Sequence, residues 1–157
     1  MPKQDNSSTF DPDTFLHSET TESLETNYTA IEEGEYDGYI DDVVATVFDG
    51  KDGAVPILEI IYTLTDEEVK EFTGQDKPTV RQTLFLDMDG GTLASGRNKN
   101  IRLGSLREAV GQNNPSEAWS PSMLIGAGPV KVQVNHRYNK ETGEGPYANV
   151  KRVTSVE

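Results

Sequence analysis

The chain is predicted to fold as a mostly β domain, a five-stranded Greek-key barrel with one helix between its third and fourth strands, behind an acidic N-terminal arm. Three observations predict it. Strand-like segments rich in β-branched and aromatic residues recur between turn signals, the clearest of them alternating with period two. A single stretch, 101–110, switches to helical spacing. The segment 1–33 has too few apolar positions to share in a core.

A length of 157 residues suits one domain with a tail, and a hydrophobic fraction of 34% leaves part of that length outside the core. Residues 1–33 are rich in Ser, Thr, Glu and Asp, with isolated apolar groups at Phe10, Phe15, Leu16, Leu24, Tyr28 and Ile31. Ordering roughly thirty residues costs about 1 to 2 kcal/mol each, more than these groups can offset, which predicts a solvated tail. The alternative is an arm in which Phe15, Leu16, Tyr28 and Ile31 dock on the domain.

The domain itself is expected over 34–157. GEYDGYIDDVVATVFD (34–49) reads as a first strand whose glycines at 34 and 38 suit a bend or bulge. The Asp-Gly pairs of DGKDG turn the chain into a second strand, 54–66, making a long hairpin. EEVKEFTGQDKP (67–78) is a loop or a single helical turn. In PTVRQTLFLDM (78–88) Val80, Leu84 and Leu86 fall on one face and Arg81, Thr83 and Phe85 on the other, a third strand. A basic stretch with three glycines, GGTLASGRNKN (90–100), is expected to be flexible. Ile101, Leu103, Leu106, Ala109 and Val110 then follow helical spacing up to the terminator GQNNP. After a connecting segment around Trp119 and Ile125, PVKVQVNHRYN (129–139) points Val130, Val132 and Val134 one way and Lys131, Gln133, Asn135 and Arg137 the other. NKETGEGP is a hairpin loop and YANVKRVTSV (147–156) the last strand. Three strands, a helix and two strands match the OB barrel, whose second and third strands and hairpin loops form an oligonucleotide-binding face.

Charge is divided along the chain. Residues 1–76 carry 3 Lys/Arg against 20 Asp/Glu, whereas residues 77–157 carry 11 against 7, within an overall net charge of -13. A cationic surface on an acidic protein points to a polyanion partner, with the acidic segment competing for the same surface.

Enzyme chemistry finds little support. FLDMDGGTLASG (85–96) is similar to the Asp-x-Asp-Gly-Thr nucleophile motif of haloacid dehalogenase-type phosphatases, but Gly91 separates Gly90 from Thr92, and no adjacent acidic pair follows downstream. Read as a calcium loop, Gly91 and Asn98 occupy the fifth and twelfth positions where ligands belong. Asp87 and Asp89 therefore read as a turn at a strand end. His17 and His136 are too few and too separated for a triad or a His-rich metal site, cysteine is absent, and no phosphate loop is present. No enzyme activity, metal or cofactor is expected. No run reaches the roughly 20 apolar residues of a membrane span and the N-terminus lacks a signal peptide's apolar stretch, which predicts a soluble cytoplasmic protein without a membrane partner.

What remains is a set of cations and rings. Single strands are held by Lys/Arg along the phosphates and by aromatic faces under the bases, about 1 to 3 kcal/mol per stack. Arg81, Arg97, Lys99, Arg102, Lys131, Arg137, Lys140 and Lys151 are the expected phosphate contacts, and Phe85, Tyr138 and Tyr147 the expected base contacts.

The stretch from ETNYTAIEEGEYDGYIDDV (25–43) through the central hairpin to VKVQVNHRYNKETGEGPYANVKRV (130–153) resembles the small bacteriophage single-stranded-DNA-binding proteins with an OB fold. The elements that carry it are the GEY opening of the first strand and a Lys/Arg hairpin ending in an Asn-Val-Lys strand. The resemblance implies single-stranded DNA as partner, dealings with replication or recombination proteins, and a host-cytoplasm location; self-association is compatible with it. Many such proteins carry their acidic segment at the C-terminus, whereas here it is N-terminal. A protein-interaction or virion structural module on the same small barrel is the alternative reading.

Overall fold

A computed structural model describes residues 10–26 and 30–156. One five-stranded antiparallel sheet dominates it: β1 (Gly34–Gly50), β2 (Gly53–Leu64), β3 (Thr79–Phe85), β6 (Val130–Arg137) and β7 (Tyr147–Ser155), in the spatial order β3-β2-β1-β6-β7. A two-residue ladder, β4 (Met88–Asp89) with β5 (Thr92–Leu93), stands apart from it. The helices are short: α1 (Pro12–Leu16), α2 (Glu67–Thr73) and α3 (Ile101–Ala109), with a 3₁₀ turn at Pro121–Leu124. No helix among the described residues is long and apolar enough to cross a membrane.

The five expected strands and the helix between the third and fourth of them are all present, with ends shifted by at most three residues. The α2 segment, expected as a loop or single turn, is a seven-residue helix. Val69 is buried on its inner side, and Gly74 closes it in the left-handed region at φ 70.

Period-two alternation places the core. Tyr62 and Leu64 of β2, Val80 and Leu84 of β3, and Val130, Val132 and Val134 of β6 point to one side and form a contiguous cluster. Leu103 and Leu106 pack α3 onto it, each contributing about 1.5 to 3 kcal/mol by burial, which a nine-residue helix needs because isolated helices of that length are marginal.

Two bulges shift the phase. At Asp41 the β1–β2 register slips, and at Gly38 the strands lie so close that a Cβ would sit 2.6 Å from the Thr63 carbonyl oxygen. In β7, Lys151 is the extra residue, since Val150 faces Val134 and Arg152 faces Gln133.

The core begins before Gly34. Ile31 is buried, and the carbonyl of Ile31 meets His136 Nε2 at 2.7 Å, while the Glu33 carboxylate accepts from the His136 amide at 2.8 Å. Of the four residues proposed to dock the arm, Ile31 does so; Phe15 and Leu16 are exposed, and Tyr28 lies outside the described residues.

Candidate nucleic-acid interface

β3 and β7 are the two edges of the sheet, and no hydrogen-bonded ladder joins them among the described residues. Their approach leaves a seam. Its upper part is a cavity of about 290 Å³ with Arg81, Thr83 and Phe85 on the β3 side, Asn149 on the β7 side, Arg102 from the start of α3, and Arg137 from the end of β6. Its lower part, about 110 Å³, shares Arg102 and adds Gln82, Lys151 and Arg152. Five of the lining side chains carry positive charge, Arg81, Arg102, Arg137, Lys151 and Arg152, and among the described residues no carboxylate lines either part. In a chain of net charge -13 this is a local inversion of sign. Neither part reaches the roughly 300 to 1,000 Å³ of an enclosed small-molecule site, and the shape suits an extended chain laid along the seam.

Arg81 is held in place. Its guanidinium meets the Glu59 carboxylate at 2.9 Å on the outer face, where Arg81 itself remains exposed. Arg102 also lies within electrostatic reach of the core. The Tyr62 hydroxyl, fully buried, donates to Gln82 Oε1 at 2.6 Å, and burial pushes its pKa far above the usual phenol value, an effect that the Arg102 charge partly opposes. Tyr62 is therefore a core residue, whereas Phe85 is 56% exposed.

Beside the seam lies an aromatic platform. Phe85 stands opposite Ile57 in the β2–β3 ladder and Phe48 opposite Val55 in the β1–β2 ladder, so all four share the outer face. The two rings meet edge to face with centroids 5.6 Å apart and planes at 90°. Ile57, 5% exposed, is buried yet lies outside the contiguous core. Tyr147 stands opposite Arg137 at the hairpin end of β6 and β7, and Tyr138 follows on; both rings are exposed.

The remaining expected contacts are dispersed. Lys131 lies at the other end of β6 from Arg137, bound to Asp37 at 2.7 Å, and this hydrogen-bonded ion pair raises its pKa. Lys99 lines a separate cavity of about 490 Å³ with Arg107 and Trp119. Arg107 is already engaged there, stacked 4.1 Å from the Trp119 ring centre and donating twice to the Gln112 carbonyl. Arg97 and Lys140 are exposed on the 90–100 and 139–146 loops.

The 90–100 loop, expected to be flexible, has a polar anchor at its end. Asn100 and Asp87 clasp each other: the Asn100 amide donates to Asp87 Oδ2 and the Asp87 amide to Asn100 Oδ1, both at 2.8 Å. Asn100 Nδ2 donates further to the carbonyls of Asp87 and Ala94. Asp87 is thus the staple of a loop.

Two residues of this surface were not singled out from the sequence. Phe48 sits in VVATVF, where continuous apolar character hides the face, and the bulge at Asp41 resets the phase. Arg152 would point inward by simple alternation from Val150; the spacing of Val150 and Val153, both buried, is the signal that two residues oppose one.

No protein-family model, no curated protein and no solved structure matches the chain.

Proposed function

We propose that the chain is an OB-fold protein that binds single-stranded DNA without strong sequence preference and protects it during phage DNA replication or recombination. The observation that carries this reading is the cationic seam, free of lining carboxylates, next to the exposed Phe48–Phe85 platform. The sheet order β3-β2-β1-β6-β7, with α3 between the third and fourth long strands, supports the barrel. Arg81, Arg102, Arg137, Lys151 and Arg152 take the phosphates in this reading. Phe85 and Phe48 take bases, with Tyr147 and Tyr138 extending the track.

Titration of a fluorescein-labelled oligo-dT at two salt concentrations tests it, with a duplex of equal length as control. Binding that prefers the single strand and weakens steeply with salt is expected, because counterions are released from each phosphate that is neutralised. Equal affinity for duplex, or absence of binding at low salt, overturns it.

A further inference from the structure

The β1–β2 hairpin extends beyond the rest of the sheet. β6 pairs with β1 only over Gly34–Gly38, and the backbone of Ile40 is bonded to Gly126 and Ala127. From Asp42 to Gly50 the outer edge of β1 has no backbone partner among the described residues. The edge is long, without proline, and uncharged from Val43 to Phe48, with Val44, Val47 and Phe48 all more than two-fifths exposed. Edges of this kind are normally shortened, charged or covered because they pair with other strands.

We infer that β1 pairs antiparallel with β1 of a second copy across a two-fold axis at Thr46. Hydrogen bonding fixes which residues can meet. The two-residue turn at Lys51 and Asp52 makes Gly50 and Gly53 a bonded pair, so the even-numbered residues bond to β2 and the amides of Val43, Ala45, Val47 and Asp49 face outward. The Val43 amide accordingly turns to the Asp42 carboxylate, at 2.8 Å, instead of to β2. Opposed residues in an antiparallel ladder must be of the same class, which for two identical strands allows only axes that pass through a residue. An axis through Ala45 sets the Asp42 carboxylate against the Phe48 ring of the other copy, and one through Val47 sets Asp42 against Asp52; a carboxylate pressed on an apolar group and like charges directly opposed are both unfavourable. Through Thr46, Val44 meets Phe48 and Ala45 meets Val47, and just past the ladder's end the bulged Asp41, whose carboxylate accepts from Thr63 Oγ1 at 3.1 Å, comes beside Lys51 of the other copy. This register alone matches charge and apolar groups together, and a second copy supplies the complement of the strand by symmetry.

Sedimentation velocity on nucleic-acid-free protein, from low to high micromolar concentration, tests the proposal separately from the binding reading. A concentration-dependent dimer is expected. Val47→Pro removes an amide that β2 does not use and should abolish the dimer with the hairpin intact. As proline can also disturb the hairpin, a second, surface variant is decisive: Lys51→Glu should weaken dimerisation about tenfold, both symmetry-related pairs being lost, and Asp41→Lys added to it should restore it. Monomeric wild-type protein throughout, a dimer indifferent to Val47→Pro in a folded variant, or a Lys51→Glu loss that Asp41→Lys does not restore overturns the proposal.

Discussion

Phe85 meets Phe48 edge to face across the outer side of the sheet, and between their strands Ile57 is buried although it belongs to no part of the contiguous core. The pair covers one aliphatic group and leaves both rings half exposed, Phe48 at 48% and Phe85 at 56%. Such a platform adds little to stability, because an edge-to-face pair contributes only about 0.5 to 1.5 kcal/mol beyond its area, and in the proposed reading its exposed rings stack on bases.

Phe85→Ala should therefore weaken single-strand binding by about 1 to 3 kcal/mol while costing the fold little. Titration and thermal unfolding of the same variant check this. Unfolding with unchanged affinity per folded molecule would show the ring to be structural. Phe48→Ala should act in the same direction, and the double variant should lose less than the two single losses together, because residues in contact are energetically coupled.

Arg102 and Lys131 make a matched contrast. Arg102 lines both parts of the seam and makes no ion pair among the described residues, whereas Lys131 is tied to Asp37 at the far end of β6. Arg102→Gln should flatten the dependence of log affinity on log salt by about 0.7, the value for one phosphate contact on a single strand, and Lys131→Gln should leave it unchanged. A slope altered equally by both variants would mean that net charge, not the seam, governs binding.

Asn100 sits at φ 50 with its side chain shared between Asp87 and Ala94, which makes it the residue on which the 90–100 loop depends. Asn100→Ala loses both the left-handed preference and the three side-chain bonds, keeping only the main-chain amide's bond to Asp87; Asn100→Gly loses only the side-chain bonds. The alanine variant should be destabilised by about 1 to 3 kcal/mol, more than the glycine variant, with faster hydrogen exchange at residues 88–94. Equal exchange in wild type and both variants would remove the clasp from the account. If the loop touches phosphate, converting Arg97 and Lys99 to Gln should also lower affinity similarly across sequences.

Much of this architecture is legible in period two alone. Val80 and Leu84 against Arg81 and Phe85, and Val130, Val132 and Val134 against Lys131 and Arg137, fall on the faces that alternation assigns. Alternation fails where a single extra residue resets the phase, as at Asp41 and Lys151, and there it misses Phe48 and Arg152. It is also silent on distance along a strand: Lys131 and Arg137 share a face, yet only Arg137 reaches the seam. The Asp87–Asn100 clasp could not be read at all, because it joins residues thirteen apart through a loop whose composition signals flexibility.

The N-terminal segment separates into two parts with different expected effects. Residues 1–26 hold six carboxylates against Lys3, and the described part, including α1 and the Phe10–Phe15 pair, is exposed. Ile31 and Glu33, by contrast, are fastened to the core and to His136. Deleting 1–26 should leave thermal stability unchanged. It should tighten single-strand binding most at low salt, where a tethered polyanion competes for the seam at an effective concentration that can reach millimolar and is least screened. Deleting 1–33 removes Ile31 as well and should lower the melting temperature, since losing a buried aliphatic side chain costs about 2 to 5 kcal/mol. Measuring unfolding and affinity on both truncations distinguishes the roles: tighter binding at constant stability in the shorter deletion marks the acidic segment as a competitor, and unchanged affinity there ends that idea while leaving the structural role of Ile31 to the longer one.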